Sequence, residues 1–227
     1  MNLSFSLPGG EVIGVKVTQV LNGGFSGRTR EKVQAHIDEL AHLGVAPPKV
    51  IPIMVPISPY LAQQTGQVWV PHDRTSGEVE WGLVVADDGQ VLLTLACDHT
   101  DRALEVHGIA WSKNASPDVL SDSAWKLSEV EDHVDQLQLR AWVTNDGIES
   151  EIQSASLEEL LPPSHWVELL RQRGLLNPGT VLISGTVNMH EGVNQFASRW
   201  RAELYDPVLN RTLTLCYDVK RLPEPII

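Results

Sequence analysis

Apolar and polar positions alternate from Leu3 to Val20 (Val12, Gly14, Val15, Val17, Val20), which predicts one or two short strands before a turn at Gly23-Gly24. The period then lengthens. Between Arg28 and Leu43, apolar Val33, Ile37, Leu40 and Leu43 recur at three- and four-residue spacings and Gly44 follows as a stop, so this stretch reads as a helix. From Pro47 to Pro59 five prolines lie among apolar residues, predicting an extended run over the surface or along a sheet edge, where lost amide donors are harmless. Beyond Gly66 the pattern predicts strands at Gln67 to Val70, Glu78 to Ala86 and Val91 to Cys97, with a hairpin turn at Asp87-Asp88-Gly89. A second hairpin is expected for Leu137 to Val143 and Ile148 to Gln153, around Asn145-Asp146-Gly147. Leu157 to Leu161 begins a helical patch, Pro162-Pro163 interrupts it, and Trp166 to Arg173 resumes it up to Gly174. Strands at Val181 to Ser184, Ala202 to Tyr205 and Thr212 to Val219 complete the reading. The expected class is α+β, rich in strands, and no repeat or composition shift marks a second domain.

Composition narrows the partners. Seventeen Lys and Arg against 29 Asp and Glu give a formal charge of -12 over 227 residues, which argues against a surface built to track phosphates or anionic lipid. Two cysteines, Cys97 and Cys216, make no disulfide framework or multi-cysteine zinc site, so a reducing cytoplasm is expected. The first residues lack a basic segment followed by a long apolar one, and no apolar run reaches membrane-spanning length. Neither export nor a membrane span is therefore expected.

Several clusters could carry chemistry. In Gly77-Glu78-Val79-Glu80-Trp81, the two acids are two residues apart in a strand and share a face; a hard divalent cation would relieve their repulsion. A solvated strand face is the commoner origin of an isolated Glu-x-Glu. Cys97-Asp98-His99-Thr100-Asp101-Arg102 follows an apolar strand, and Asp98 could supply a third oxygen ligand; the alternative is a turn in which Asp98 and Thr100 bond their own backbone. His36 and Glu39, three apart in the predicted helix, are surface neighbours, either a base with its orienting acid or an exposed pair. Asn177-Pro178-Gly179 through Ser184-Gly185-Thr186 could offer amides and hydroxyls to a carboxylate, without specificity as an isolated pattern. No phosphate loop, Gly-x-Gly-x-x-Gly, Gly-x-Ser-x-Gly elbow or His-Glu-x-x-His helix is present.

Taken in order from Gly24 to Val219, these pieces resemble the fumarylacetoacetate hydrolase superfamily, and more narrowly a bacterial branch of it. His36 and Glu39 ahead of Pro47-Pro48 look like its lid-helix catalytic dyad. Glu78, Glu80 and Asp98, the last in Asp98-His99-Thr100-Asp101-Arg102, are similar to its Glu-x-Glu and Asp-x-Thr-x-Arg metal acids. Lys113 in Trp111-Ser112-Lys113 resembles its active-site lysine. Trp142 to Ser154 resembles its Val-Asn-Gly hairpin, and Ser184-Gly185-Thr186 its Thr-Gly-Thr strand. Two departures stand out: Val187 to Gly192 replaces the usual Pro and Gly-Val-Gly turn, and Glu105 stands where relatives often carry Gln near the substrate.

The resemblance implies a rolled mixed β-sheet fold with peripheral helices, formed by one domain over residues 1–227. Its N-terminal strands and lid helix would occupy about 1–45 and its catalytic β-roll about 46–227. It implies a homodimer and one Mg²⁺ or Mn²⁺ on Glu78, Glu80 and Asp98. His36 would be the general base oriented by Glu39, Lys113 would stabilise charge, and Arg102, Glu105, Gly185 and Thr186 would hold the substrate. The implied reaction is hydrolysis of a C–C bond in an acylpyruvate-type 2-keto acid. Decarboxylation, hydration or dehydration, and tautomerisation use the same chemistry, and a binding module without turnover is the alternative of another class.

Overall fold

A computed structural model describes the chain apart from residues 43, 45, 46, 225 and 227 and the side chains of Lys32, Ala35, His36, Glu39, Leu40 and His42. The N-terminal alternation resolves into three strands, β1 (Asn2–Ser6), β2 (Val12–Lys16) and β3 (Gln19–Gly24), followed by helix α1 (Arg30–His42). The proline-rich stretch holds β4 (Ile53–Ile57), an edge strand antiparallel to β3, and then β5 (Ala62–Gln63) and β6 (Gln67–Val70). Next come the paired 11-residue strands β7 (Thr75–Val85) and β8 (Val91–Asp101), the short helix α2 (Ile109–Lys113), and β9 (Asp118–Lys126). The second hairpin is β10 (Gln138–Asn145) and β11 (Ile148–Ser156), and α3 (Pro163–Gln172) follows. The last strands are β12 (Thr180–Ile183), β13 (Arg199–Asp206) and β14 (Arg211–Arg221).

One mixed sheet of nine strands runs β2-β1-β9-β8-β7-β12-β3-β4, with β5 on β9; a five-stranded sheet runs β11-β10-β13-β14-β6. Alternation along the strands sorts their side chains into two cores. Val79, Trp81 and Leu83 of β7, with Leu93 and Leu95 of β8, join Trp125, Trp166 and Trp200 in the larger core. Val84, Leu92, Ala96, Leu120, Val181 and Ile183 point the other way into a second core with Phe5. The nine-stranded sheet curls around that second face: Asn22 of β3 donates through Nδ2 to Oδ1 of Asp118 on β9 at 3.0 Å. These strands are four positions apart in the sheet, a separation of about 19 Å if the sheet were flat.

Three expectations change. Gly23-Gly24 is not a turn but the end of β3, paired with Met54 and Ile53. Glycine is needed at position 23 because a Cβ would stand 2.7 Å from the Ser184 carbonyl oxygen and 2.9 Å from the Trp166 ring. Asp98-His99-Thr100-Asp101 does not form the alternative turn. It continues β8, with Asp98 opposite Glu78 and Asp101 opposite Thr75. The strand carrying the two glutamates begins at Thr75, ahead of the expected start, so the acids lie within a buried strand. β9 answers to no expectation, since Asp118, Ser121, Asp122 and Ser123 break its apolar pattern.

Candidate metal centre and active-site cavity

The face lined by the second core changes character towards one end. Apolar Val84, Leu92 and Ile183 give way to Glu80, Glu78, Asp98, Asp118 and Asn22, because each continues the same alternating set of its strand. Glu78, Asp98 and Asp118 form a cross-strand row, Glu78 opposite Asp98 and Asp98 opposite Asp118. One carboxylate oxygen from each of Glu78, Glu80 and Asp98 lies within 4.8 Å of the others. All three side chains are buried or nearly so.

Two cations reach this face. Arg102 directly follows β8, where the Asp101 carboxylate accepts the amides of Ala103 and Leu104 at 3.0 and 3.1 Å and turns the chain. Its Nη2 donates to Glu78 Oε1 at 2.8 Å, and Nη1 donates to the two Glu105 oxygens at 3.1 and 3.2 Å. Lys113 ends α2, which Asn114 ties to β4 by donating to the Pro56 carbonyl and accepting the Ser58 amide. The Lys113 ammonium donates to Glu78 Oε2 at 3.0 Å and to Asp98 Oδ2.

Positive charge falls short of negative. Glu78, Glu80, Asp98, Glu105 and Asp118 stand against Arg102 and Lys113 among the described residues of the cluster. Burial works against the charge on Glu78, but Arg102 and Lys113 outweigh it and hold its carboxyl well below the usual range. Glu80 shifts the other way: burial, reinforced by Asp98 and Glu78, raises it well above that range against Lys113 and the Gly185 amide. Burial and the neighbouring Asp98 likewise raise Asp118, and burial raises Glu105 despite Arg102.

Among the carboxylate oxygens of Glu78, Glu80 and Asp98, hydrogen bonding singles out one atom. Thr100 donates to Asp98 Oδ1 at 3.2 Å, Gly185 donates its amide to Glu80 Oε2, and the remaining oxygens of Glu78 and Asp98 receive Arg102 and Lys113. Glu80 Oε1 is buried with no hydrogen-bond partner among the described residues. An unpartnered buried oxygen, in a set of three converging carboxylates with a deficit of positive charge, is what a hard divalent cation satisfies. The residues fit such an ion.

Glu78, Glu80, Arg102 and Lys113 form the floor of a cavity of about 400 Å³, and Asp98, bonded to Lys113, is fully buried outside its lining. Gly185 reaches Glu80 by a backbone φ of +90°, and a Cβ there would stand 2.3 Å from Ser26 Oγ. Thr186 lines the cavity, but its hydroxyl donates to the Val79 carbonyl at 3.0 Å and accepts Gln153 Nε2 at 2.6 Å. Val33 of α1 also lines it, so this helix borders the cavity; the side chains of His36 and Glu39 lie outside the described residues. Asn22, Asp118 and Gln153 were missed in the sequence. Gln153 accepts the Val79 amide and holds the 186–187 segment through Thr186 Oγ1 and the Val187 carbonyl.

The family profile described as "Protein of unknown function (DUF2848)" matches residues 23–217. The chain belongs to this family. No curated protein matches it in sequence. Among solved structures, this chain superposes on 2-keto-3-deoxyarabinonate dehydratase with a TM-score of 0.64 and 17% identity, covering 94% of this chain and 78% of that one. The same enzyme complexed with magnesium and 2,5-dioxopentanoate gives a TM-score of 0.62 at 17% identity, covering 94% and 77%. The 4-oxalocrotonate decarboxylase from Pseudomonas putida G7, complexed with calcium and acetate, gives 0.54 at 14% identity, covering 92% and 78%. These likenesses concern the fold, which is the strand-rich, fumarylacetoacetate hydrolase-like rolled mixed β-sheet with peripheral helices. Among the described residues, no helix is long and apolar enough to cross a membrane.

Proposed function

We propose that this chain is a divalent-metal-dependent enzyme of the fumarylacetoacetate hydrolase superfamily that hydrolyses a C–C bond in an acylpyruvate-type 2-keto acid. The observation that carries this reading is the convergence of Glu78, Glu80 and Asp98 at the cavity floor, with Glu80 Oε1 unpartnered while Lys113 and Arg102 bond to the same set of acids. Mg²⁺ or Mn²⁺ held there would supply Lewis acidity towards a chelating 2-keto carboxylate. Lys113 and Arg102, both lining the cavity, would steady the negative charge on the substrate carboxylate or on the growing pyruvyl enolate. His36, oriented by Glu39 on α1, would take the proton from water as its oxygen attacks the distal carbonyl carbon. The bond from that carbon to the neighbouring methylene then breaks, its electron pair staying with the pyruvyl fragment, and the products are a carboxylic acid and enolpyruvate. Closure of α1 would exclude bulk solvent. Glu105, Gly185 and Thr186 would shape the substrate's seat. The reading includes a single domain, a homodimer and a cytoplasmic location; a monomer in sedimentation would remove the homodimer.

A second reading, decarboxylation or dehydration on the same floor, gains weight from the solved relatives, one a dehydratase and one a decarboxylase. Tautomerisation needs no further group, and a metal and keto-acid binding module without turnover is the reading outside enzymes. Thermal unfolding of metal-stripped protein with Mg²⁺ or Mn²⁺, with and without oxalate, tests the shared core, because a ligand of the folded state raises stability by mass action. Oxalate should stabilise wild type only with metal and should have no effect on Glu80→Ala. Absence of any shift in wild type at millimolar metal and oxalate overturns the metal site. A panel of acylpyruvates, oxaloacetate-like acids and hydroxylated 2-keto acids then separates hydrolysis from lyase chemistry and from binding alone.

A further inference from the structure

The cavity contains more than its floor, and its charge pattern bears on the substrate's far end; this inference rests on the 2-keto acid reading. Five carboxylates line it among the described residues, Glu78, Glu80, Glu105, Glu159 and Glu191, against two cations, Arg102 and Lys113. Both cations are already engaged by acids. Lys113 is bonded to Glu78 and Asp98, and Arg102 to Glu78 and to both oxygens of Glu105. The rest of the lining is uncharged, with apolar Phe25, Ile109 and Met189 and polar Ser26, Asn188 and Gln195. Val187 and Met189 belong to the segment that replaces the family's glycine turn, and so does the exposed Glu191.

We infer that this cavity selects 2-oxo acids with one carboxylate and an uncharged distal group and rejects dicarboxylates, with Glu105 as a specificity-determining residue. The substrate's 2-keto carboxylate is met on the floor. A second carboxylate further along the chain would lie among Glu105, Glu191 and uncharged walls, with no free cation among the described lining residues. Arg102, the guanidinium best shaped to receive it, is clamped by Glu105. Like charges brought together in a partly desolvated site oppose binding, whereas an aliphatic or hydroxylated chain meets no such penalty.

The test compares near-isosteric ligands on full-length protein loaded with Mg²⁺, read as dissociation constants by calorimetry: 2-oxohexanoate, ending in a methyl, and 2-oxoglutarate, ending in a carboxylate. Pyruvate and oxalate serve as controls for the floor. Wild type should bind 2-oxohexanoate at least about tenfold more tightly than 2-oxoglutarate. Glu105→Gln, which removes the charge and loosens the clamp on Arg102, should narrow that ratio to within about threefold while pyruvate still binds. Glu191→Gln, on an exposed segment where folding is not at stake, should narrow it by a smaller factor. Equal or tighter binding of 2-oxoglutarate to wild type overturns the selectivity while leaving the 2-keto acid reading intact, provided pyruvate and oxalate bind. A ratio unmoved by both substitutions removes Glu105 and Glu191 as its cause. Failure of pyruvate and oxalate to bind overturns both readings together.

Discussion

Two buried acid clusters in this molecule solve the same problem in opposite ways. At the corner after β13, Asp206 is fully buried, yet its Oδ1 accepts His133 Nε2 at 3.0 Å and the amides of Val208 and Leu209 at 3.0 and 3.1 Å. Its Oδ2 accepts Arg211 Nε at 3.2 Å, and that guanidinium stacks 4.6 Å from the Trp125 ring and pairs with Glu129. Burial opposes the charge, but the Leu209 amide and His133 lead a set of donors that keep Asp206 below the usual aspartate range. The acid cluster at the cavity floor and beyond it has more acids than cations, an unpartnered Glu80 oxygen, and Glu80 and Asp118 raised well above their usual range. A carboxylate with both oxygens satisfied, as in Asp206, fastens a fold; a buried carboxylate oxygen left unpartnered at a cavity marks where a ligand belongs.

The largest contrast is expected from Lys113→Met. Without Lys113, Glu78, Glu80 and Asp98 lose a neighbouring cation, and metal-free protein should lose roughly 3–5 kcal/mol, the usual cost of leaving buried charge uncompensated. Millimolar Mg²⁺ should restore most of that loss in urea unfolding, since the ion replaces the missing charge. A loss that metal leaves untouched would make Lys113 a packing residue. Next come two neutralising substitutions of opposite sign. Asp206→Asn should cost about 1–3 kcal/mol by disrupting a saturated set of donors. Glu80→Gln should leave metal-free stability unchanged or higher, because it removes one of the surplus charges and keeps an acceptor for the Gly185 amide. Destabilisation of both alike in the same unfolding assay would erase the distinction between the clusters.

The smallest effect is in pH. Because the folded Asp206 titrates below an unfolded aspartate, its stabilisation is present above about pH 4 and is lost as pH falls through the folded value. The stability gap between wild type and Asp206→Asn should therefore close as pH drops from 5 towards 3. A gap that stays constant over that range would mean that the Asp206 charge contributes nothing.

The sequence was most readable where a single strand or helix carries the signal. The two-residue period of Glu78 and Glu80, the Asp-Gly turns and the spacing of Val33 and Ile37 each predict an element that the fold contains. What escaped depends on distant neighbours. Asn22 meets Asp118 across 96 positions because the nine-stranded sheet curls, and Gln153 of β11 meets Val79 of β7 across 74 because the two sheets pack together. Asp98 to Asp101 looked like a turn because polar residues there have no local reason to be buried; the reason is β7 opposite them. Gly23 looked like a turn residue, but its missing side chain makes room for Trp166 and the Ser184 carbonyl. The three converging acids were thus legible as types and spacings, while the charge deficit around them needed the third dimension.

Titration with Mn²⁺, followed by the paramagnetic resonance of the free aquo ion, tests the contrast most directly. Wild type and Asp206→Asn should each remove one ion per chain from solution at micromolar to sub-millimolar metal, and Glu80→Gln should remove none in that range. Retention of the full free-ion signal by wild type, or equal uptake by Glu80→Gln, would contradict the assignment of Glu78, Glu80 and Asp98 as a metal centre.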